Sequence, residues 1–257
     1  MILFLKIAFM FALGSMIGWV IELFYRRFFD PANPERKWLN PGFFTGPYLP
    51  LYGFVLIMLY GLTRLERYMP FDSVWGKRIA LYLFMSVCIT LLELITGLIF
   101  IVKLKIVLWD YTMFKWNFKG IIAPIYSFFW VLLSMFYYFC VDPFVIKVMH
   151  GFIGSLGFTF IQGLFYGIFF ADLVVSINDM VNIAEFARKH NIVVIVDELK
   201  SQLRGFRERN KEKAWFFVPM SLSDTMHNTL EHYREYREKR KLIKEKQQEL
   251  VHEEQEK

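Results

Sequence analysis

The sequence predicts an all-α integral membrane protein with about five transmembrane helices, a parallel two-helix repeat among them, and a helical cytoplasmic tail. Three observations carry that expectation. Hydrophobic residues make up 56% and aromatic residues 19% of the 257-residue chain, whereas soluble domains hold about 45–50% apolar residues. The excess is confined to the front: residues 1–179 hold 14 Lys plus Arg and 10 Asp plus Glu, and the last 78 residues hold 16 and 14. Finally, one string of polar and aromatic residues occurs twice at similar spacing.

Crossing the hydrocarbon core takes about 20 apolar residues at 1.5 Å each. Residues 2–25 carry only Lys6 and Glu22 as charges, and runs at 48–63, 79–102, 120–141 and 151–178 supply four more candidate spans. The first run has no basic leader, has no small-x-small cleavage site after it and is followed by Arg26 and Arg27, so it reads as a retained helix rather than a signal peptide. The chain therefore divides into a transmembrane domain over 1–179 and a charged helical tail over 180–257. Cys88 and Cys140 fall inside different spans and read as small hydrophobes.

Short loops with more basic residues stay cytoplasmic. Loops 26–45 and 103–119 hold eight (Arg26, Arg27, Arg36, Lys37, Lys103, Lys105, Lys115, Lys119) against six on the other side (Lys6, Arg64, Arg67, Lys77, Arg78, Lys147). With the charged tail, this places the C-terminus in the cytoplasm of a multi-pass cell-membrane protein. The segment 142–150 is expected as a turn.

The repeat is read from order and spacing. Glu22 is followed by Trp38, Asn40, Gly46 and Pro50-Leu51-Tyr52-Gly53-Phe54; Glu93 is followed by Trp116, Asn117, Gly120 and Pro124-Ile125-Tyr126-Ser127-Phe128. Each copy reads as a carboxylate-bearing helix, a polar loop, a Gly/Pro turn and a second helix. Two helices per copy make the halves, about 10–66 and 79–141, parallel rather than inverted. The fifth span, 151–178, stands outside them.

Glu93 is the strongest site candidate, about 15 Å from the basic end of its helix. Ser86, Thr90, Glu93 and Gly97 share its face, and an ionisable group there is a functional hypothesis by default, with a hydrogen-bonded structural carboxyl as the alternative. Glu22 precedes Arg26 by one turn and can pair with it. Gly14 and Gly18 on its face permit a close helix contact, expected with the Glu93 helix. Asn40, Asn117, Tyr52 and Tyr126 complete the polar set, and Asp110 either caps a turn or faces a headgroup or ligand. Trp109, Tyr111 and Trp116 read as interfacial anchors. Asp172 leans towards structure, with Gly163, Gly167 and Ala171 offering a second close-packing face. The sequence has no phosphate-binding glycine loop, zinc-spaced His set or nucleophile elbow; no cofactor, metal or nucleic-acid partner is expected, and a non-enzymatic role is favoured. In the tail, Val196, Leu199, Leu203 and Phe206 recur at helical spacing, Ser223 could cap a second helix, and Met226, Leu230 and Tyr233 form a short apolar seam on an otherwise solvated helix.

Gly18-Trp19-x-x-Glu22 and Asn40-x-Gly42-Phe43-x-x-Gly46-Pro47-x-x-Pro50-x-Tyr52-Gly53, with Leu92–Gly97, Trp109-Asp110-Tyr111 and Asn117-x-x-Gly120 in the second half, resemble the ABC-transporter permease family also called type IV or CmpB-like. The resemblance covers roughly residues 10–140, more loosely through the fifth span. The chain departs from the family pattern at Pro41 and Ile121, where arginine is usual. The resemblance implies a transport-related subunit for a small solute or ion, working in the bilayer with a separate ATPase subunit or as a homo-oligomer. A membrane-embedded enzyme acting on a lipid or polyprenyl headgroup, with Glu93 or Asp110 as acid or base, and a scaffold recruiting a partner through its tail are the alternatives.

The orientation is testable by reporter fusions. Green fluorescent protein at the C-terminus is expected to fluoresce, and alkaline phosphatase fused after Ser73 to be active; the opposite pattern would invert the topology.

Overall fold

The computed structural model describes residues 2–30, 33, 36–196, 198–200 and 230–239. Six helices dominate: α1 (Ile2–Phe28), α2 (Pro50–Thr63), α3 (Val74–Ile99), α4 (Pro124–Phe136), α5 (Asp142–Phe152) and α6 (Leu156–Lys189). A π turn, Phe100–Leu104, extends α3, and another, Tyr137–Val141, joins α4 to α5. Strands β1 (Ile106–Val107) and β2 (Val194–Ile195) pair in parallel.

Four rods are long and apolar enough to cross a membrane: Ile2–Phe28, Val74–Leu104, Pro124–Met149 and Leu156–Lys189; Pro50–Thr63 is a shorter apolar helix of 14 residues. Only 17% of the most apolar window of the α4–α5 rod and of α6 is buried, so most of their apolar surface faces outward, as lipid requires. Four of the five expected spans fall on these long rods, and the other, 48–63, falls on the shorter α2.

Helix starts follow local chemistry. Pro50 and Pro124 sit at the first helical position after extended Leu49 and Ala123, where a missing N–H costs least. Ser73 and Ser155 cap α3 and α6 by accepting the Gly76 and Phe158 amides. In the preceding loops, Gly42 and Gly120 adopt φ of 72° and 70°, a region glycine enters without a side-chain clash.

The expected turn at 142–150 is instead helical, and the chain reverses at residues 153–155. Pro143 follows the π turn that has already shifted the hydrogen-bond ladder, so its missing N–H does not end the rod. Asp142 accepts hydrogen bonds from Arg64 Nη1 (2.8 Å) and the Tyr137 hydroxyl (3.1 Å). Helix α6 likewise runs on to Lys189 rather than stopping near 178.

Small residues set the closest packing, with different partners from those expected. Gly14 and Gly18 face α2 rather than α3: a Cβ on Gly14 would lie 2.6 Å from Leu56 Cβ and 2.7 Å from the Tyr52 carbonyl oxygen, and one on Gly18 would enter the Tyr52 ring. Gly53 presses back on Phe11 and Ser15. On α3, Ser86 donates to the Ser127 carbonyl (2.6 Å), Thr90 to the Ser127 hydroxyl (3.0 Å), and Gly97 admits Ile121. Helix α6 lies against α1, with Gln162 Nε2 donating to the Leu5 carbonyl (3.1 Å) and Tyr166 to that of Ala8 (2.8 Å). The stripe of Gly163, Gly167 and Ala171 was expected to pack and is exposed instead, with no atom within 4 Å of a Cβ built on either glycine. Its residue pattern matches that of α1, but the helix is turned so that Gln162, Tyr166 and Phe169 face the protein.

Two apolar cores result. One lies among α1–α5, around Met10, Leu59, Leu81, Met85, Tyr137 and Val145. The other joins Phe43, Ile106, Ile183, Val194, Leu199 and Tyr233 at the end of the bundle where the tail begins. Residues 230–239 are helical, with Leu230 and Tyr233 buried, so this stretch of the tail docks on the bundle rather than standing free in solvent. The Tyr233 hydroxyl accepts the Ile195 amide (3.0 Å) and donates to Glu198 (3.1 Å). Leu203, Phe206, Ser223 and Met226 lie outside the described residues.

Gly14→Ala is expected to push α1 from α2 at about 1–3 kcal/mol, read as a lower melting temperature in detergent. Gly163→Ala, whose Cβ meets open space, should leave melting unchanged or raise it slightly.

Candidate functional site

Each hairpin carries one acidic residue on its first helix, and the site forms where the hairpins meet. Glu93 is 4% exposed. Ser86 and Thr90, two turns and one turn earlier on its face, fasten α3 to α4 and so turn the carboxylate inward. The Tyr111 hydroxyl donates to Glu93 Oε1 at 3.0 Å, and Trp130 Nε1–H donates to Oε2 at 3.1 Å. Both donors are neutral. Burial, followed by the neighbouring Glu93 and Glu22 charges, pushes the Tyr111 phenol in its loop well above its ordinary value, so the hydroxyl keeps its proton.

Glu22 accepts hydrogen bonds from Arg26 Nε at 3.2 Å and the Tyr52 hydroxyl at 3.3 Å. The Tyr52 ring packs edge-on against Trp130 with centroids 5.9 Å apart, linking the two acids through one aromatic contact. Glu22 and Glu93 are close enough to interact electrostatically. On the loop side, Tyr111 stacks on Tyr126 at 4.0 Å, Phe114 packs on Tyr126 edge-on, and the Tyr126 and Tyr25 hydroxyls are hydrogen-bonded. Beside Glu93 a cavity of ≈ 10 Å³, about the room for one water molecule, is lined by Leu51, Tyr52, Val55, Ile89, Glu93 and Trp130.

Of the residues singled out by sequence, Glu93 and Tyr52 border the cavity, Glu22 joins them through Tyr52, and Tyr126 forms the aromatic layer beside them. Asn40 and Asn117 hold their own loops. Asn40 Nδ2 donates to the Phe44 and Thr45 carbonyls and its Oδ1 accepts from Trp19 Nε1 at 2.7 Å. Asn117 Nδ2 donates to the Thr112 and Phe114 carbonyls and its Oδ1 accepts the Gly120 amide at 2.9 Å. Asp110 caps its own turn by accepting the Thr112 amide at 2.9 Å. Tyr111, expected as an interfacial anchor, points inward at Glu93, while Trp116 is 87% exposed as an anchor would be. Trp130 gave no signal in the sequence, being one of seven tryptophans in an aromatic-rich chain.

A second polar knot holds the first loop. Asp172 on α6 accepts the Gly46 amide (2.8 Å), the Thr45 amide (3.4 Å), the Tyr48 hydroxyl (2.6 Å) and the Ser176 hydroxyl (3.2 Å). Non-helical backbone beside a bilayer needs such partners. Among the described residues, no three His, Cys, Asp or Glu side chains are grouped to hold a metal ion.

Four apolar helices of membrane-spanning length, joined by polar loops, are the architecture of a polytopic membrane protein. The chain belongs to the family described as "putative ABC-transporter type IV", whose model matches residues 9–177. No curated protein matches the chain, and neither does any solved structure.

Asp172→Ala is expected to orphan the Gly46 amide and the Tyr48 hydroxyl, at about 1–3 kcal/mol. Amide hydrogen exchange should speed up at Thr45 and Gly46 while the middle of α3 stays protected; uniform acceleration would mean the whole bundle had loosened.

Proposed function

We propose that the chain is the membrane-embedded part of a transport system, passing a small solute or ion through the polar site between the α1–α2 and α3–α4 hairpins. The observation that carries this reading is the Glu93 carboxylate, buried beside a cavity at the meeting of those hairpins. A buried acid is costly unless it serves function or structure, and this one joins α3, α4 and the second loop at a single point. Because the cavity admits about one water molecule, a larger solute would pass only when the hairpins part.

We also read the hairpins as copies of one unit, related by an axis along the membrane normal. Ser15 and Ser86 each stand seven residues before the acid. Each lies against the third residue after the helix-starting proline: Ser15 against Gly53, and Ser86 against Ser127. Both second helices open on proline after an extended residue. These correspondences support duplication. The family description points to a separate ATPase as partner; loops 29–49 and 105–123 and the tail would face it at the cytoplasmic surface.

Inside-out vesicles from cells overproducing the wild type or Glu93→Ala test the proposal. When they are challenged with a panel of isotope-labelled inorganic ions and small organic solutes, at least one is expected to move several-fold faster with the wild type. Equal flux for every compound, with both proteins intact in the membrane, would remove the transport reading. Gentle detergent purification should also bring down an ATPase with the chain.

A further inference from the structure

The groups around Glu93 specify what it can bind. From α1 it is faced by Glu22, which Arg26 pairs with, and by Tyr25 at the edge of the aromatic layer; from α2 by Tyr52; from α4 by Trp130 and Tyr126; and from the second loop by Tyr111. Arg26 pairs with Glu22, whereas Glu93 is held by two neutral donors. A buried charge without an opposite partner must gain a cation or be neutralised.

A metal ion fits poorly. Calcium takes six to eight oxygen ligands and magnesium about six, whereas among the described residues the oxygen-bearing side chains lining the cavity are Glu93 and Tyr52. The Tyr52 hydroxyl is engaged with Glu22. A proton needs one oxygen.

The hydrogen bonds also suit a proton that comes and goes. Indole N–H can only donate, whereas a phenol can both donate and accept. Trp130 therefore keeps hold of Oε2 in either state. A proton arriving on Oε1 turns the carboxylate into a carboxylic acid, and the Tyr111 hydroxyl rotates to accept the new O–H. The cavity beside Glu93 has about the room for one water, next to the carboxylate that would take the proton.

We propose that Glu93 is a proton-binding site, reversibly taking one proton between the Tyr111 hydroxyl and the water-sized cavity. The inference deepens the transport reading by naming a proton as the ion handled there, and rests on it for the purpose of binding but not for the chemistry.

Infrared difference spectroscopy of the full chain in lipid, stepped from about pH 5 to about pH 9, reads the site directly. The wild type is expected to show a protonated-carboxyl C=O band that fades reversibly as pH rises, by about tenfold per pH unit once the acid ionises. Glu93→Gln should lack the band. Glu93→Asp, which keeps an acid and guards against misfolding of the first variant, should show it at a displaced frequency. Glu22→Gln should retain it. Identical spectra from the wild type and Glu93→Gln, or a band unmoved across the whole range, would overturn the proposal. So would a midpoint that moves several-fold with sodium concentration, because a metal cation would then share the site. A titrating Glu93 in a protein that moves no solute would sink the transport reading and leave the proton site standing; flux without titration would do the reverse.

Discussion

The fold turns on one burial: a carboxylate enclosed on α3 and held by two neutral donors. Glu93 could face a lipid-side core only if something met both of its oxygens, and those partners come from separate places, Tyr111 in the second loop and Trp130 on α4. Satisfying the acid therefore fixes where the loop returns and how α4 rotates. Ser86 and Thr90 hold the same interface from below. Without a hydrophobic drive between helices in lipid, polar bonds and close backbone approach supply the specificity.

The two hairpins meet that requirement differently. In the first, glycine does the joining: Gly14, Gly18 and Gly53 bring α1 and α2 backbone against side chain. In the second, hydroxyl bonds and the acid do it. The first hairpin's acid is paired with Arg26, whereas the second's meets only neutral donors. The resulting asymmetry leaves one hairpin's acid paired with a cation and the other's not, which is where chemistry can concentrate. At the tail side, Lys200 donates to the carbonyls of Asn40 and Gly42, and the β1–β2 pair ties the second loop to the chain leaving α6. The loops around the site are thus held from α6 and the tail as well as from their own helices.

Much of this was legible in the residues. Long uncharged runs mark the spans because hydrocarbon length is a hard constraint, and Glu93 stood out because a charge amid Leu92, Leu94 and Ile95 has few bland explanations. The helix through Asp142-Pro143 was not legible: a proline after an acid reads as a stop unless a π turn precedes it, and no residue pattern announces one. The stripes of Gly14/Gly18 and Gly163/Gly167 look alike in sequence, yet one is packed and the other open, since only the neighbour distinguishes them. Asn40 and Asn117 advertised polarity without revealing that their own loop carbonyls would consume it. Tyr111 and Trp130 remained hidden because an aromatic with a polar tip serves equally well at a membrane surface or inside a bundle.

The shortness of α2 bears on how the chain is built. Fourteen residues extend about 21 Å as a helix, less than the ~30 Å of a hydrocarbon core. Such a segment gains little by partitioning into lipid alone. With its backbone pressed onto Gly14 and its Tyr52 ring onto Gly18 of a 27-residue neighbour, it can leave the translocation machinery as a passenger of α1, the pair integrating as one unit. The glycines that look like packing devices in the finished protein would then act first during synthesis, when a short helix must be retained in the bilayer before any of the later spans exist.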